Sequence, residues 1–168
     1  MAKECILCDK ECVFCNKKTE WIYDDEFFYA IFDVHPVSPG HALVIPKRHI
    51  QSLLELDQLE WNALRTALIE TIKSIRTTNF KKLYESMIVY KVTDKSPYFC
   101  KKMLKHIGLN RIPEGYNIGV EDGEAAGRTI NHLHIQLIPR YSGDVKNKTG
   151  GIRTIIPGMG DYRKKRKK

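Results

Sequence analysis

His132-Leu133-His134-Ile135-Gln136-Leu137-Ile138 is the stretch around which the rest of the chain has to fold. Polar and apolar residues alternate along it, and side chains of a β-strand point alternately to the two faces of a sheet. A strand over residues 132–138 therefore places both histidines and the glutamine on one face, roughly 7 Å apart. A packed core does not tolerate such a polar line, and a generic surface rarely carries it, so the pattern predicts a functional face.

The segments before and after this stretch predict the remaining strands of an α+β domain with an antiparallel sheet. Trp21 to Tyr23 and Phe27 to Phe32 are separated by three acidic residues, an arrangement typical of a hairpin. Ala42 to Ile45 is apolar and follows a turn-rich segment, and Tyr116 to Val120 also has strand character. Pro139 is expected to end the strand that carries the histidines. We therefore expect a sheet of about five strands.

One long helix is predicted after the third strand. Asp57 is a candidate N-cap, and Glu60 follows three residues later, which is the spacing of a capping box. Apolar residues then recur at helical intervals from Trp61 through Leu64 to Ile75. Basic residues close the segment, as suits the negative end of a helix dipole, so the helix is expected to end there.

Residues 79–113 form an insert whose structure the sequence indicates only in part. Met87 to Tyr90 is apolar, the pair Ser96 and Pro97 indicates a break, and a second, shorter helix is indicated around Cys100 to Ile107. The insert lies between the long helix and the strand of the two histidines. A cover over the functional face and a dimer element both stay open for it.

Length and charge favour one domain over residues 1–158, followed by a basic tail over 159–168. A chain of 168 residues that is 42% apolar can bury one ordinary core. The formal charge is +8, but the six residues Arg163 to Lys168 are all basic, and without them 28 − 6 = 22 basic residues face 20 acidic ones. A terminal block of like charge is usually solvated, so nucleic acid binding is expected only through this tail.

The chain has the features of a cytoplasmic protein that does not enter a membrane. It lacks an apolar run of the roughly 18 residues that cross a bilayer, and charges stand where a signal peptide is apolar. Four cysteines form two C-x-x-C pairs, Cys5 with Cys8 and Cys12 with Cys15. In a reducing compartment such pairs indicate zinc ligation more than disulfides, with unliganded surface thiols as the alternative. Cys100 is expected to be a buried apolar residue.

Two segments resemble the histidine triad superfamily of nucleotide-processing proteins. Residues 122–140, a glycine-containing lead-in followed by the stretch quoted above, are similar to the triad signature. Residues 33–49, which contain Pro39-Gly40-His41 and Ile45-Pro46-Lys47-Arg48-His49, resemble the other landmark of that superfamily. Together with the cysteine pair, the resemblance extends from Cys12 to Pro157 and implies the histidine-triad-like fold.

The resemblance implies covalent catalysis at the middle histidine. His134 takes the position of the nucleophile that attacks an α-phosphate and becomes nucleotidylated, with His132 beside it. An imidazole near its ordinary pKa is partly neutral at pH 7, and a backbone carbonyl near His132 is expected to hold its other ring proton. Thr129 and the backbone after Gly127 occupy the turn that wraps the α-phosphate in the family.

The nucleoside is implied to bind near the first landmark. Asp33 matches the position whose carboxylate accepts both ribose hydroxyls, with Phe32 and Val34 beside the base. Glu121 stands where relatives often carry Asn or Gln, and a phosphate repels an acid there unless the acid faces a hydroxyl or a basic side chain. The implied nucleotide-binding set is Phe32, Asp33, Val34, Glu121, Gly127 and Thr129.

Gln136 departs from the third histidine of the hydrolase and phosphoramidase branches. Glutamine can donate to a phosphoryl oxygen but cannot supply a proton near neutral pH, which favours a leaving group that departs as an anion. His-x-His-x-Gln is also the arrangement in galactose-1-phosphate uridylyltransferases and dinucleoside tetraphosphate phosphorylases. Residues 150–157 in turn resemble small dinucleoside polyphosphate hydrolases. Hydrolysis of a dinucleoside polyphosphate such as diadenosine tetraphosphate, nucleotidyl transfer and phosphorolysis therefore all stay open.

The resemblance further implies a structural zinc ion and a homodimer. In metal-containing members, a C-x-x-C pair joins the histidine of the Pro-Lys-x-His motif and the first triad histidine. The corresponding residues are Cys12, Cys15, His49 and His132. Two thiolates and two imidazoles form a closed tetrahedral set, which clamps an N-terminal hook, about residues 5–20, to the catalytic strand. Cys5 and Cys8 are then a spare pair or bind nothing.

Two functions of other classes stay open. A non-catalytic nucleotide-binding adaptor would use the basic tail and the spare cysteines for partner contacts, and Gln136 would mark lost turnover. A zinc-stabilised nucleic acid binder requires an affinity that falls steeply with salt and disappears when Arg163 to Lys168 is removed.

Overall fold

A five-stranded antiparallel sheet organises the fold. The structure, a computed structural model, describes residues 12–16 and 21–161, so Cys5, Cys8 and the basic tail beyond Asp161 lie outside it. The strands are β1 (Tyr23–Asp24), β2 (Phe28–Phe32), β3 (Ala42–Pro46), β4 (Gly115–Gly119) and β5 (Ile135–Arg140). Their order in the sheet is β1-β2-β3-β5-β4, and every neighbouring pair is antiparallel. The predicted α+β class and antiparallel sheet are confirmed.

β5, which was predicted to contain both histidines, begins later than the alternation of polar and apolar residues predicts. β5 starts at Ile135, so His132 and His134 lie in the segment immediately before the strand. The Leu133 N–H donates to the carbonyl oxygen of Ile50 at 2.6 Å, whereas the ladder between β5 and β3 begins only at Ile135. The backbone around the two histidines is therefore hydrogen-bonded to the segment that follows β3.

The same strand also ends later than predicted. β5 runs through Pro139 to Arg140, so the prediction that Pro139 ends the strand is wrong. Pro139 is paired with Tyr116 of β4, but the ladder with β3 stops at Leu137. Pro139 thus lies where β5 is paired on one side only, a position that tolerates proline.

Three α-helices follow β3 within the part of the chain that the structure describes, one more than the sequence predicts. They are α1 (Gln58–Thr77), α2 (Phe80–Tyr90) and α3 (Ser96–Met103). α1 starts as predicted, because the Asp57 side chain accepts from the Glu60 N–H while the Glu60 side chain accepts from the Asp57 N–H. None of the helices in the described part of the chain combines the length and apolar character that crossing a membrane demands.

The insert supplies α2 and α3. Ser96 and Pro97 begin α3 instead of breaking the chain, because a proline in the first helical turn lacks only an N–H that has no helical partner. α3 ends at Met103, four residues before the predicted end at Ile107. Both helices pack under the sheet in one buried cluster, whose members are Ala42, Ile75, Phe80, Tyr84, Met87, Cys100, Met103 and Leu137. The insert therefore extends the core, and Cys100 is buried as predicted.

The two faces of the sheet carry different layers. On one face, Phe28, Ala30, Val44 and Ile135 pack against α1. On the other, which we call the outer face, Phe14 packs over a cluster of strand residues; these are Tyr29, Ile31, Leu43 and Ile45. Strand alternation therefore turns Gln136, between the core residues Ile135 and Leu137, towards the outer face.

Gly40 joins the insert to the start of β3. Its φ of +84° is in the left-handed region, and a Cβ at this position would lie 2.7 Å from the Phe80 ring. The Gly40 N–H donates to the Tyr84 hydroxyl at 2.8 Å. α2 thus fixes the backbone immediately before His41.

Candidate active site and metal centre

Two cysteines and two histidines from three parts of the chain meet at the edge of the outer face. The ligand atoms of Cys12, Cys15, His49 and His132 all lie within 4.8 Å of one another. Sulfur to Nδ1 distances are 3.3 Å for Cys12 to His132, 3.3 Å for Cys15 to His49 and 3.4 Å for Cys15 to His132. The structure thus brings together all four residues of the implied metal site.

The chemistry of these four groups fits zinc. With bonds of about 2.3 Å to sulfur and about 2.0 Å to nitrogen, a tetrahedral zinc site has sulfur to nitrogen distances of about 3.5 Å. His132 Nε2–H donates to the Pro46 carbonyl at 2.8 Å, so Nδ1 presents its lone pair to the cysteines. Burial, opposed only in part by that hydrogen bond, lowers the pKa of His132 to about 4 and keeps the ring neutral.

His134 has the opposite ring orientation. Its Nδ1–H donates to the carbonyl oxygen of His132 at 2.8 Å, and a carbonyl can only accept. In the neutral form of the ring the proton is therefore on Nδ1, and Nε2 has the lone pair. The side chain is 6% exposed and its ring centroid lies 5.3 Å from that of Phe14 on the outer face. This arrangement is the one a nucleophilic imidazole needs.

A chain of polar contacts connects Asp33 to Gln136. His41 Nε2 lies 2.7 Å from Gln136 Oε1, and His41 Nδ1 lies 3.4 Å from Asp33 Oδ2. The other Asp33 oxygen accepts from the His35 N–H at 2.7 Å. Burial lowers the pKa of His41, and Asp33 partly opposes that shift. Asp33 and Gln136 therefore belong to one connected site.

Phe32 and Val34, which flank Asp33 in the chain, have packing contacts of their own. Both pack against the buried cluster of α2 and α3, and the Phe32 ring meets the Phe80 ring edge to face at 5.6 Å. Because neighbours on a strand face opposite sides, Ile31 is the residue of β2 that shares the outer face with Leu43. The position of Ile31 on the outer face could have been predicted from the alternation of side chains along β2, but the resemblance to the family points to Phe32 instead.

The turn before the triad uses two backbone donors internally. The Gly127 N–H donates to the Glu124 carbonyl at 2.9 Å, and the Arg128 N–H donates to the Gly123 carbonyl at 3.2 Å. Gly127 has a φ of +102°, and a Cβ there would lie 3.5 Å from a Glu121 carboxylate oxygen. Glu121 thus packs under the turn, while Thr129 is exposed at its far end.

Phe14 is a site residue that the sequence reasoning missed. It stands between the two cysteine ligands, and its ring lies 5.8 Å from the His132 ring and 5.3 Å from the His134 ring. The Tyr29 hydroxyl donates to its carbonyl oxygen at 2.8 Å. The only sequence signal is an aromatic residue inside a C-x-x-C pair, which is compatible with many other positions.

Comparisons with known proteins identify the family of this chain. The family described as HIT domain matches residues 15–143, most of the chain. The chain therefore belongs to the HIT domain family.

Relatives in this family include named enzymes and uncharacterized proteins. An uncharacterized HIT-like protein of Methanocaldococcus jannaschii is 30% identical over 140 residues, which cover 83% of this chain and 81% of that protein. The AP-4-A phosphorylase of Mycobacterium tuberculosis is 28% identical over 139 residues, 81% of this chain but 55% of the phosphorylase. A bis(5'-adenosyl)-triphosphatase of Dictyostelium discoideum is 25% identical over 131 residues, 78% of this chain and 66% of that enzyme.

Solved structures of the same family share the fold. A HIT family protein of Bacillus subtilis aligns with a TM-score of 0.54 and 25% identity, covering 80% of this chain and 77% of that one. A Zn-bound histidine triad family protein of Mycobacterium smegmatis aligns with a TM-score of 0.50 and 27% identity, covering 80% and 78%.

Proposed function

We propose that this protein is a nucleotide hydrolase or nucleotidyltransferase that acts on a dinucleoside polyphosphate through a covalent nucleotidyl-His134 intermediate. The observation that carries the proposal is the hydrogen bond from His134 Nδ1–H to the His132 carbonyl, which leaves a lone pair on Nε2. Relatives named AP-4-A phosphorylase and bis(5'-adenosyl)-triphosphatase support this substrate class. Both names denote cleavage of adenosines joined through phosphates.

The reaction consists of two displacements at one phosphorus atom. In the first, His134 Nε2 forms a bond to the α-phosphorus, and the bond from phosphorus to the bridging oxygen breaks. Its electron pair leaves with the nucleoside polyphosphate, which departs as an anion. In the second, an oxygen of water or phosphate bonds to phosphorus, the nitrogen–phosphorus bond breaks, and the acceptor loses its proton to solvent.

Gln136 favours this class of leaving group. Its amide can donate a hydrogen bond to a phosphoryl oxygen, but it has no proton to transfer near neutral pH. A polyphosphate departs without protonation, whereas the amine of a phosphoramidate does not.

Three outer-face residues and one carboxylate form the proposed nucleoside site. Asp33 binds the ribose hydroxyls, because its carboxylate retains acceptor capacity beside the bond from His35. Ile31, Leu43 and Phe14 form a buried apolar cluster on the same face as His134, and the base is proposed to pack against the edge of that cluster. Thr129 lies at the end of the turn where the phosphates are proposed to bind.

Cys12, Cys15, His49 and His132 are the residues that would hold zinc. A zinc ion bound there is structural, since its four positions are filled by protein groups. Its contribution is to clamp the segment with Phe14 over the outer face.

Product analysis with diadenosine tetraphosphate tests the proposal. The zinc-loaded protein is incubated with and without inorganic phosphate, and the nucleotides are separated. AMP and ATP without phosphate indicate hydrolysis, and ADP and ATP only with phosphate indicate phosphorolysis. Nucleotide binding without turnover in either condition would refute the proposed enzymatic activity and favour a nucleotide-binding adaptor.

A further inference from the structure

We propose that His41 is a positioning residue that fixes the amide of Gln136 so that its NH2 group faces the α-phosphate. The inference deepens the proposed function and rests on it, since it assigns the phosphate to the outer face beside Gln136. His41 does not touch the reacting atoms; it acts through Gln136.

The hydrogen on His41 Nε2 is present in both protonation states. When the ring is neutral, Nδ1 accepts from the Val37 N–H at 3.5 Å, which leaves the single ring proton on Nε2. When the ring is charged, both nitrogens are protonated and Nδ1–H faces Asp33 Oδ2 at 3.4 Å. In either state, Nε2–H donates to Gln136 Oε1 at 2.7 Å. The orientation of the amide is therefore independent of the charge on His41.

The charges around His41 do not disturb this arrangement. Asp33 and Glu121 are the acidic groups that act on the ring, and both favour its charged form, whereas burial favours the neutral form. His41 is 4% exposed. An unpaired ring donor in such a position is costly, so the ring holds an acceptor opposite Nε2.

The orientation decides which amide atom meets a ligand. With Oε1 occupied by His41, the NH2 group of Gln136 is directed away from His41, and it has no acceptor within residues 12–16 and 21–161. A flipped amide would place two donors against each other at His41 and turn its oxygen towards the phosphate oxygens. His41 thus selects the donor face of Gln136 for an anion.

The strand next to Gln136 leaves room for that anion. Gly119 of β4 is paired directly with Gln136, and directly paired residues project from the same face. A Cβ at Gly119 would meet no atom within 4 Å. The donor face of Gln136 therefore borders open space on the outer face.

Replacement of the His41 ring should leave the fold intact. The His41 backbone is held independently, because its carbonyl accepts from the Asp33 N–H at 2.9 Å and its N–H donates to the Ser38 carbonyl at 3.0 Å. His41→Phe retains an aromatic ring but removes the donor. His41→Gln keeps a donor that can reach Gln136.

A double-mutant cycle on kcat and KM with diadenosine tetraphosphate measures the coupling. We expect His41→Phe to lower kcat about 10- to 100-fold, the range of a hydrogen bond to a charged group, and His41→Gln to recover much of the loss. In a Gln136→Ala background, His41→Phe should change kcat less than about twofold. An equal loss in both backgrounds, or no loss in the wild-type background, would overturn the proposal.

Ring nitrogen NMR of uniformly 15N-labelled zinc-loaded protein separates this inference from the proposed function. We expect His41 to show Nε2–H with an unprotonated Nδ1 above its pKa, and the Nε2–H resonance to shift in Gln136→Ala. Absent turnover with this signature present would refute the proposed function and leave the positioning intact. A His41 with the proton on Nδ1 alone would overturn the positioning whatever the turnover.

Discussion

Two histidines that are two residues apart acquire different chemistry from one hydrogen bond each. Pro46 accepts the proton of His132 Nε2, which turns Nδ1 towards the cysteines. The carbonyl of His132 accepts the proton of His134 Nδ1, which frees Nε2. The backbone thus determines which ring nitrogen carries a lone pair, and that nitrogen determines whether the residue suits a metal or a phosphorus atom.

At the same scale, Glu60 is expected to make folding dependent on pH. It is 4% exposed, accepts from Arg48 at 2.8 and 2.6 Å, and Arg48 holds its pKa below the ordinary 4.5. A carboxylate with a lowered pKa stabilises the fold fully above the unfolded-state pKa and loses that contribution as the pH falls through the folded value. Glu60→Gln should therefore lower the free energy of unfolding by about 1–3 kcal/mol at pH 7.

Urea unfolding of wild type and variant at neutral pH and at about pH 3 checks this expectation. The difference between the two proteins should shrink as the pH falls towards the lowered folded-state pKa of Glu60, because protonation of the wild-type carboxylate then begins to remove its contribution. Glu70→Gln is the matched control, since its ion pair with Lys73 is exposed and should contribute less than about 0.5 kcal/mol. A Glu60→Gln difference that stays constant with pH would refute the role of its charge.

At the scale of elements, the sequence predicted the features that depend only on neighbouring residues. The capping box of α1 and the alternation from Ile135 to Leu137 are local, and both appear in the structure. The start of β5 depends on the contact between Leu133 and Ile50, and α2 is stabilised by packing on Gly40 and Phe32. These are tertiary contacts, which override local preference and have no signature in a single segment.

A substitution at Gly119 of β4 tests whether the open space beside Gln136 is a phosphate site. Gly119→Val places a side chain in the open space beside Gln136, and valine suits a strand better than glycine. We expect unchanged or higher stability, by up to about 1 kcal/mol, together with at least about tenfold weaker nucleotide binding.

Gly115→Val is the control for this substitution. Gly115 lies on the same face of the same strand, four residues away and opposite Arg140, and also borders open space. Calorimetric titration with a nucleoside polyphosphate and thermal unfolding of both variants give the two readouts. Equal binding losses in the two variants would contradict a phosphate site beside Gln136.

At the scale of the whole molecule, the site is assembled from segments more than a hundred residues apart. Cys12 meets His132, and Asp33 connects through His41 to Gln136. Motif resemblance could predict the four metal-site residues because each is part of a motif. It could not predict that Phe14 contacts both histidines or that Ile31 replaces Phe32 on the outer face, because these depend on how the layers pack.

Loss of the metal ligands in the N-terminal hook should therefore lower the stability of the fold and change the environment of His134. In Cys12→Ser/Cys15→Ser, we expect zinc content by mass spectrometry of metals to fall from about one per chain towards zero. The melting temperature should fall by several degrees, and the ring resonances of His134 should broaden as Phe14 is released. Cys100→Ala, at a buried cysteine outside the metal site, is the control and should retain zinc. Full zinc content without Cys12 and Cys15 would rule out this ligand set.

Acid-sparing trapping of the covalent intermediate tests the central claim most directly. The zinc-loaded protein is mixed with diadenosine tetraphosphate, quenched at alkaline pH, where a phosphorus–nitrogen bond to histidine survives, and analysed by intact and peptide mass spectrometry. We predict one added adenylyl group on the peptide that contains His134, absent in His134→Ala although this variant still binds nucleotide. Turnover without an adduct on His134, or an adduct that persists in His134→Ala, would contradict the account.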